Sequence, residues 1–257
     1  MTHPAPTAEL LGLAALAESA GRAIMAIYHS DFAAETKADA SPVTAADQQA
    51  EEIILAGLAK LFPAIPVIAE ESVAAGHIPA IGSAFFLVDP LDGTREFISR
   101  NGEFTVNIGL IRDGAPVLGV IFAPALSEMF LGATGQGAFY KGAGEATYAP
   151  IKARAAPVQG PEILASRSHL DAETKAFIDA AKPSKLVNAG SSLKFCRIAQ
   201  GQADLYPRFG RTMEWDTAAG HAILLAAGGN VAKPDGSAFI YGKPGFANGA
   251  FVATGRG

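Results

Sequence analysis

Leu87-Val88-Asp89-Pro90-Leu91-Asp92-Gly93-Thr94-Arg95-Glu96-Phe97 turns from apolar to polar within a few residues. The apolar run Ala84 to Val88 predicts a short buried strand. Asp89-Pro90 is expected to end it, because proline fixes φ and donates no ladder bond. Two carboxylates, Asp89 and Asp92, then flank a turn. Gly93 allows close backbone approach to a ligand or a positive φ. A helix starting near Thr94 sets free N–H groups and a positive dipole end beside both acids. Acids there repel an anion unless cations intervene, so the layout suits Mg2+ on the aspartate oxygens and a phosphate between metal and backbone donors. The plainer reading is a β-turn, in which Asp, Pro and Gly are all common. The stretch alone leaves both open.

The chain of 257 residues suits one large domain or two packed subdomains. Hydrophobic residues at 49% and charged ones at 18% supply a sizeable core and argue against disorder. A net charge of -5 lacks the basic face of a general nucleic-acid binder, so no nucleic-acid partner is expected. The single cysteine, Cys196, excludes an internal disulfide and suits a cytoplasmic setting. The N-terminus has no basic n-region, and Glu9, Glu18 and Arg22 interrupt the apolar stretch behind it. Neither a signal peptide nor an integral membrane segment is expected. Peripheral association with the inner membrane stays open.

Taken in order, Glu9 to Tyr28 predicts an amphipathic helix and Gln48 to Leu61 a second. Between them, Thr44-x-x-Asp47 reads either as a capping box or as a functional aspartate. Pro66 to Ala69 is a strand candidate ending in Glu70-Glu71. Ligands gather at strand ends in parallel or mixed sheets, so Glu70 and Asp89 could meet. Phe104 to Ile111, Val117 to Phe122, Met129 to Gly132 and Ala138 to Tyr140 predict antiparallel strands. Lys141 to Pro161 has no clear period, and a boundary there divides the chain into 1–150 and 151–257. Beyond it come a strand at Ile163 to Ala165, a helix at Ala172 to Ala181, and Gly190-Ser191-Ser192 leading a helix to Gln200, a turn that by default caps that helix and otherwise binds an anion. A strand then ends at Asp204 to Arg208, and a small-residue helix runs from Glu214 to Ala227, with Asp216 in its first turn.

Glu70, Asp89, Asp92 and Asp216 thus each stand at a strand end or helix start. Four converging carboxylates would repel one another without cations. With two or three Mg2+ they form an oxygen cage suited to phosphoryl hydrolysis. At this point Ala69-Glu70-Glu71, Asp89-Pro90-Leu91-Asp92-Gly93-Thr94 and Trp215-Asp216-x-Ala218-Ala219-Gly220 resemble, in order, the three signature motifs of the inositol monophosphatase superfamily. The likeness runs over nearly the whole chain. Arg95-Glu96-Phe97, Ser166-Arg167-Ser168-His169, Gly190 to Cys196 and Leu205 to Gly210 resemble its bacterial bisphosphate nucleotidase branch. Arg95 departs from the Lys usual there but keeps the charge.

The resemblance implies an α/β fold, the layered α-β-α-β-α sandwich. It implies an enzyme removing the 3′-phosphate of adenosine 3′,5′-bisphosphate, with its 5′-phosphosulfate analogue as a further substrate. Glu70, Asp89 and the Leu91 carbonyl would hold the first Mg2+, and Asp89, Asp92 and Asp216 the second. Gly93 and Thr94 N–H groups would hold the scissile phosphate, and Glu70 with Thr94 would activate water. Asp47 matches a residue serving a third metal or water activation, with the cap still the alternative. Ser166, His169, Gly190 and Lys194 match nucleotide contacts, although His169 also reads as an ordinary loop histidine. Arg208 stands where inositol phosphatases carry an acid, and its planar fork suits the 5′-phosphate. Otherwise it is a surface arginine or one paired with Glu214 or another acid. Rival readings are an inositol or fructose bisphosphate phosphatase, or a non-catalytic nucleotide-binding module. The expected partner is the small-molecule substrate, and the expected state a monomer or homodimer.

Overall fold

The structure, a computed structural model, describes residues 5–31, 34–36, 42–167 and 170–257. The chain opens with α1 (Ala8–Tyr28), capped by the Thr7 hydroxyl, which accepts a bond from the Leu10 N–H. A short antiparallel pair, β1 (Ala34–Thr36) and β2 (Pro42–Thr44), leads into α2 (Ala45–Leu61). Then come β3 (Val67–Ala69), α3 (Glu70–Ala74), β4 (Ala84–Asp92) and α4 (Thr94–Ile98). The strands β5 (Thr105–Arg112), β6 (Ala115–Ala123), β7 (Glu128–Ala133), β8 (Gly137–Lys141) and β9 (Ala149–Ile151) follow as a meander. The rest of the chain forms β10 (Glu162–Ser166), α5 (Ala172–Ala181), β11 (Lys185–Ala189), α6 (Leu193–Ala199) and β12 (Leu205–Arg208). It ends with β13 (Thr212–Met213), α7 (Glu214–Ala226), β14 (Asn230–Ala232), β15 (Ala247–Asn248) and β16 (Phe251–Thr254).

Two sheets carry the architecture. The first has seven strands in chain order, β3 to β9, parallel only at β3–β4. The second has five, in the order β11-β10-β12-β16-β14. Strand alternation sorts side chains between layers. Phe86, Val88, Val106, Ile108 and Leu131 face α1 and α2, whereas Leu87, Ile111, Ile121 and Phe130 face α7. In the second sheet Leu164 and Tyr206 point to α6 and α7, and Ile163 and Ala165 pack on Ile178 of α5. The layers therefore run α1/α2, sheet, α6/α7, sheet, α5: the α/β sandwich expected.

α1 is the one helix among the described residues long and apolar enough to cross a membrane. Its Leu10, Leu13, Ala17 and Ile24 are buried in the core shared with α2 and the first sheet.

Two differences from the sequence reading bear on the site. Pro90 does not stop β4. The strand continues to Asp92, which pairs with Thr105, and the register shifts between Asp89 and Asp92. Proline is tolerated because it sits in that bulge, where no ladder bond is needed. Second, the long aperiodic stretch after Lys141 holds β9, which pairs with β8 and extends the first sheet.

Candidate active site

Register brings the first two acids together. β3 and β4 run parallel with Ala69 opposite Val88, so Glu70 and Asp89 leave neighbouring strands at one edge. Asp216 arrives from the other side of the sheet, on α7. Leu87, Gly109, Gly119 and Gly132 form one cross-strand row on the face toward that helix. A Cβ at Gly119 would stand 2.2 Å from the Ala219 carbonyl oxygen, and one at Gly132 would stand 2.6 Å from the Ile223 Cα. The glycines let the α7 backbone lie directly on the strands, which fixes the depth of Asp216. One carboxylate oxygen each of Glu70, Asp89 and Asp216 then fall within 4.8 Å of one another.

That donor set is all hard oxygen, as Mg2+ prefers. Burial raises the Asp216 carboxyl well above the usual carboxylate range, and Asp92 and Glu70 push it further. A site that disfavours its own charge in this way fits a cation that offsets it. Leu91 lines the same cleft.

Asp92 stands apart from that trio. Its Oδ2 accepts from the Ser192 Oγ at 2.6 Å and from the Asn107 Nδ2 at 3.3 Å. Burial raises its carboxyl, partly offset by Ser192 and Lys194. Sequence reading assigns no role to Asn107, and it reads the Gly190-Ser191-Ser192 turn as a helix cap first, whereas the Ser192 hydroxyl makes no cap bond. The available signal is an asparagine between Val106 and Ile108 in β5, directly opposite Asp89.

Thr94 opens α4 behind Gly93, which holds φ 94°. Its Oγ1 lies 3.2 Å from Asp47 Oδ1 and 3.4 Å from the Leu91 carbonyl. Asp47 itself is buried, and its Oδ2 accepts the Thr44 N–H and the Thr44 hydroxyl, each at 2.7 Å. The capping box and the reach toward the cleft therefore coexist in one side chain. Asp216 is built likewise: its Oδ2 accepts the Met213 N–H at 2.8 Å.

Cations line the same cleft. Lys194 is 3% exposed and Arg208 7%. The Lys194 Nζ donates to the Ser191 carbonyl at 2.6 Å and the Ala189 carbonyl at 3.2 Å, and sits 5.0 Å from the centre of the Tyr206 ring. Burial lowers its pKa to about 8. Arg208 donates to the carbonyls of Gly210 and Arg211. Glu214, the alternative partner for Arg208, accepts the Gly242 and Lys243 N–H groups and pairs with the Lys243 ammonium at 2.7 Å. Ser166 and Gly190 also line the cleft, and the Gly190 N–H donates to Glu103 Oε2 at 2.7 Å. A Cβ at Gly190 would come within 2.8 Å of the Glu103 carbonyl oxygen, so glycine is required for that approach. His169 lies outside the described residues.

The chain matches the inositol monophosphatase family over residues 8–255. The chain belongs to that family. It is 46% identical over 242 residues to the 3′(2′),5′-bisphosphate nucleotidase CysQ of Salmonella typhimurium, covering 93% of this chain and 96% of that one. The protein of the same name from Buchnera aphidicola is 43% identical, over 93% of this chain and 91% of the other. Among solved structures, CysQ from Bacteroides thetaiotaomicron superposes with a TM-score of 0.80 at 37% identity, covering 96% and 97% of the two chains. An inositol monophosphatase from Anabaena gives 0.77 at 27% identity, covering 96% and 90%. Both have this layered arrangement, so the family and the fold agree.

Proposed function

We propose that the protein is a Mg2+-dependent phosphomonoesterase that removes the 3′-phosphate of adenosine 3′,5′-bisphosphate, giving AMP and phosphate. The 5′-phosphosulfate analogue, with a 3′-phosphate in the same place, is a further substrate. The observation that carries the proposal is the make-up of one cleft. Glu70, Asp89 and Asp216 cluster there, and the buried cations Lys194 and Arg208 line the same cleft. A substrate with two phosphates matches both kinds of group: one phosphate belongs with metal on the acids, the other with the cations. An inositol monophosphate leaves the cations unused. The curated relatives carrying the bisphosphate nucleotidase name support the same choice.

In this reading Glu70, Asp89, the Leu91 carbonyl, Asp92 and Asp216 hold two or three Mg2+ ions. When bound, these neutralise charge on the transferred phosphoryl group and the leaving oxygen. The protein's own groups do the rest. Gly93 and Thr94 offer backbone N–H donors to the scissile phosphate. Thr94, held by Asp47, orients the attacking water with Glu70 and relays its proton. Asp216 orients the water that protonates the leaving 3′-oxygen. Ser166, Gly190, Lys194 and Arg208 hold the nucleotide, with Arg208 at the 5′-phosphate, and His169 is assigned the same role from sequence. Residues 1–150 carry most of the metal ligands, and residues 151–257 carry the nucleotide contacts and Asp216.

The test is phosphate release by purified protein from adenosine 3′,5′-bisphosphate, its 5′-phosphosulfate analogue and inositol 1-phosphate, with and without Mg2+. The proposal expects both nucleotides to be turned over well ahead of the inositol ester, and only with metal. Preference for the inositol ester would replace it with the inositol phosphatase reading.

A further inference from the structure

Ser192 is 2% exposed and begins α6, yet its hydroxyl makes no cap to that helix. It sits instead where three parts of the fold meet. Its Oγ lies 2.6 Å from Asp92 Oδ2 on β4, 2.7 Å from the Asp216 carbonyl on α7, and 2.9 Å from Asn107 Nδ2 on β5. Donor and acceptor chemistry fixes the order of these contacts. The amide of Asn107 has only hydrogens to give from Nδ2, so it donates both to Ser192 and to Asp92. Reversing that amide would point its oxygen at a carboxylate. The correct orientation leaves the Asn107 Oδ1 buried without a hydrogen-bond partner among the described residues. That is a cost the fold accepts, and the bonds from Nδ2 are what it gains. The single Ser192 proton can then go to Asp92 Oδ2 or to the Asp216 carbonyl.

We infer that Ser192, oriented by Asn107, is a positioning residue for Asp92 and ties it to the first turn of α7. Asp92 Oδ2 accepts from Asn107 and, when the hydroxyl proton turns to it, from Ser192, so both contacts engage the same oxygen of that carboxylate. One hydroxyl thus sets the rotamer of an acid from the bulge of β4 against the helix that carries Asp216. The inference rests on the metal-dependent reading of the cleft, and it adds a residue, Asn107, that lies outside the motifs read from the sequence.

Mn2+ serves as the probe, titrated calorimetrically into wild type, Ser192→Ala, Asp92→Asn and the double variant, with kcat and KM measured alongside. Partners of this kind are typically worth 10- to 100-fold in metal affinity or activity. Ser192→Ala is expected to weaken Mn2+ binding and lower kcat by about tenfold or more, with KM for the nucleotide little changed. In the Asp92→Asn background the same change should add less than about twofold, because its target is gone. A purely structural serine would cost the same factor in both backgrounds, and that result overturns the inference. So does Ser192→Ala within twofold of wild type. If Ser192→Ala does not fold, Ser192→Cys keeps the volume with a weak donor and replaces it. Wild type that binds no Mn2+ overturns the metal-site reading itself, a result distinct from wild-type binding that Ser192 does not influence.

Discussion

Asp47 Oδ1 accepts a hydrogen bond from Thr94 across the chain at 3.2 Å, while Oδ2 of the same carboxylate holds the Thr44 cap. The cap is therefore present, and it does not compete with the role proposed for Asp47 beside Thr94. Capping immobilises the aspartate, and the immobilised aspartate presents its second oxygen to Thr94, which lines the cleft. Asp47→Asn should lose both functions: about 1 kcal/mol of stability and a large part of turnover, with a higher Mg2+ requirement. Thr44→Ala should lose mainly the stability. Thermal melts and Mg2+ titrations of activity on both variants check this. A purely thermal effect of Asp47→Asn would retire its role in the cleft.

Arg208 separates the enzyme readings. Charge-assisted bonds to a phosphate are worth roughly 1.5–3 kcal/mol each. Arg208→Ala is expected to raise KM for adenosine 3′,5′-bisphosphate at least about tenfold and to leave 3′-AMP nearly untouched. Equal losses on both substrates, or none on either, would remove the 5′-phosphate from this residue.

Lys194 gives a pH signature. Burial lowers it to about 8 from the usual 10.5 of lysine. Below pH 8 it is charged and can hold an anion; above, it becomes neutral and that attraction goes. KM for the bisphosphate should therefore rise as pH passes upward through about 8, and Lys194→Gln should flatten the profile at a higher KM. The stability sign is opposite. Between pH 8 and 10.5 the unfolded chain binds the extra proton, so stability attributable to this group grows as pH rises. A wild-type KM flat from neutral pH to well above 8 would contradict the assignment.

The glycine row predicts where packing and activity are linked. Gly119→Ala puts a methyl 2.2 Å from the Ala219 carbonyl oxygen, so α7 must move and Asp216 with it. Overpacking of this kind costs about 1–3 kcal/mol. The variant should melt lower and turn over substrate more slowly. Gly12→Ala in α1, whose Cβ would meet nothing closer than 3.9 Å, should instead stabilise by about 0.5–1 kcal/mol. Equal behaviour of the two would show that α7 has room.

Much of the site could be read from sequence because it is built of local signals. Glu70 and Asp89 stand at the ends of apolar runs, and Asp47 and Asp216 occupy cap positions three residues into their helices. What could not be read depends on contacts between distant segments. Ser192 meets Asp92 across 100 positions, and Asn107 meets Ser192 across 85. The glycine row becomes visible only when β5, β6 and β7 are in register. Pro90 reads as a strand end in sequence because the bulge that accommodates it leaves no mark in composition.

The central claim is that a metal held by the clustered acids drives hydrolysis of the 3′-phosphate. It is tested most directly by phosphate release from adenosine 3′,5′-bisphosphate, with Mg2+ and with chelator, for wild type and Asp89→Asn. Asp89 is 2% exposed, the buried member of the cluster, and an amide there cannot supply its charge. The account predicts rapid release of phosphate and AMP by wild type with Mg2+. Release should be abolished by chelator and reduced by several orders of magnitude in a folded Asp89→Asn protein. Undiminished release without divalent metal, or near-wild-type turnover by Asp89→Asn at saturating Mg2+, would contradict it.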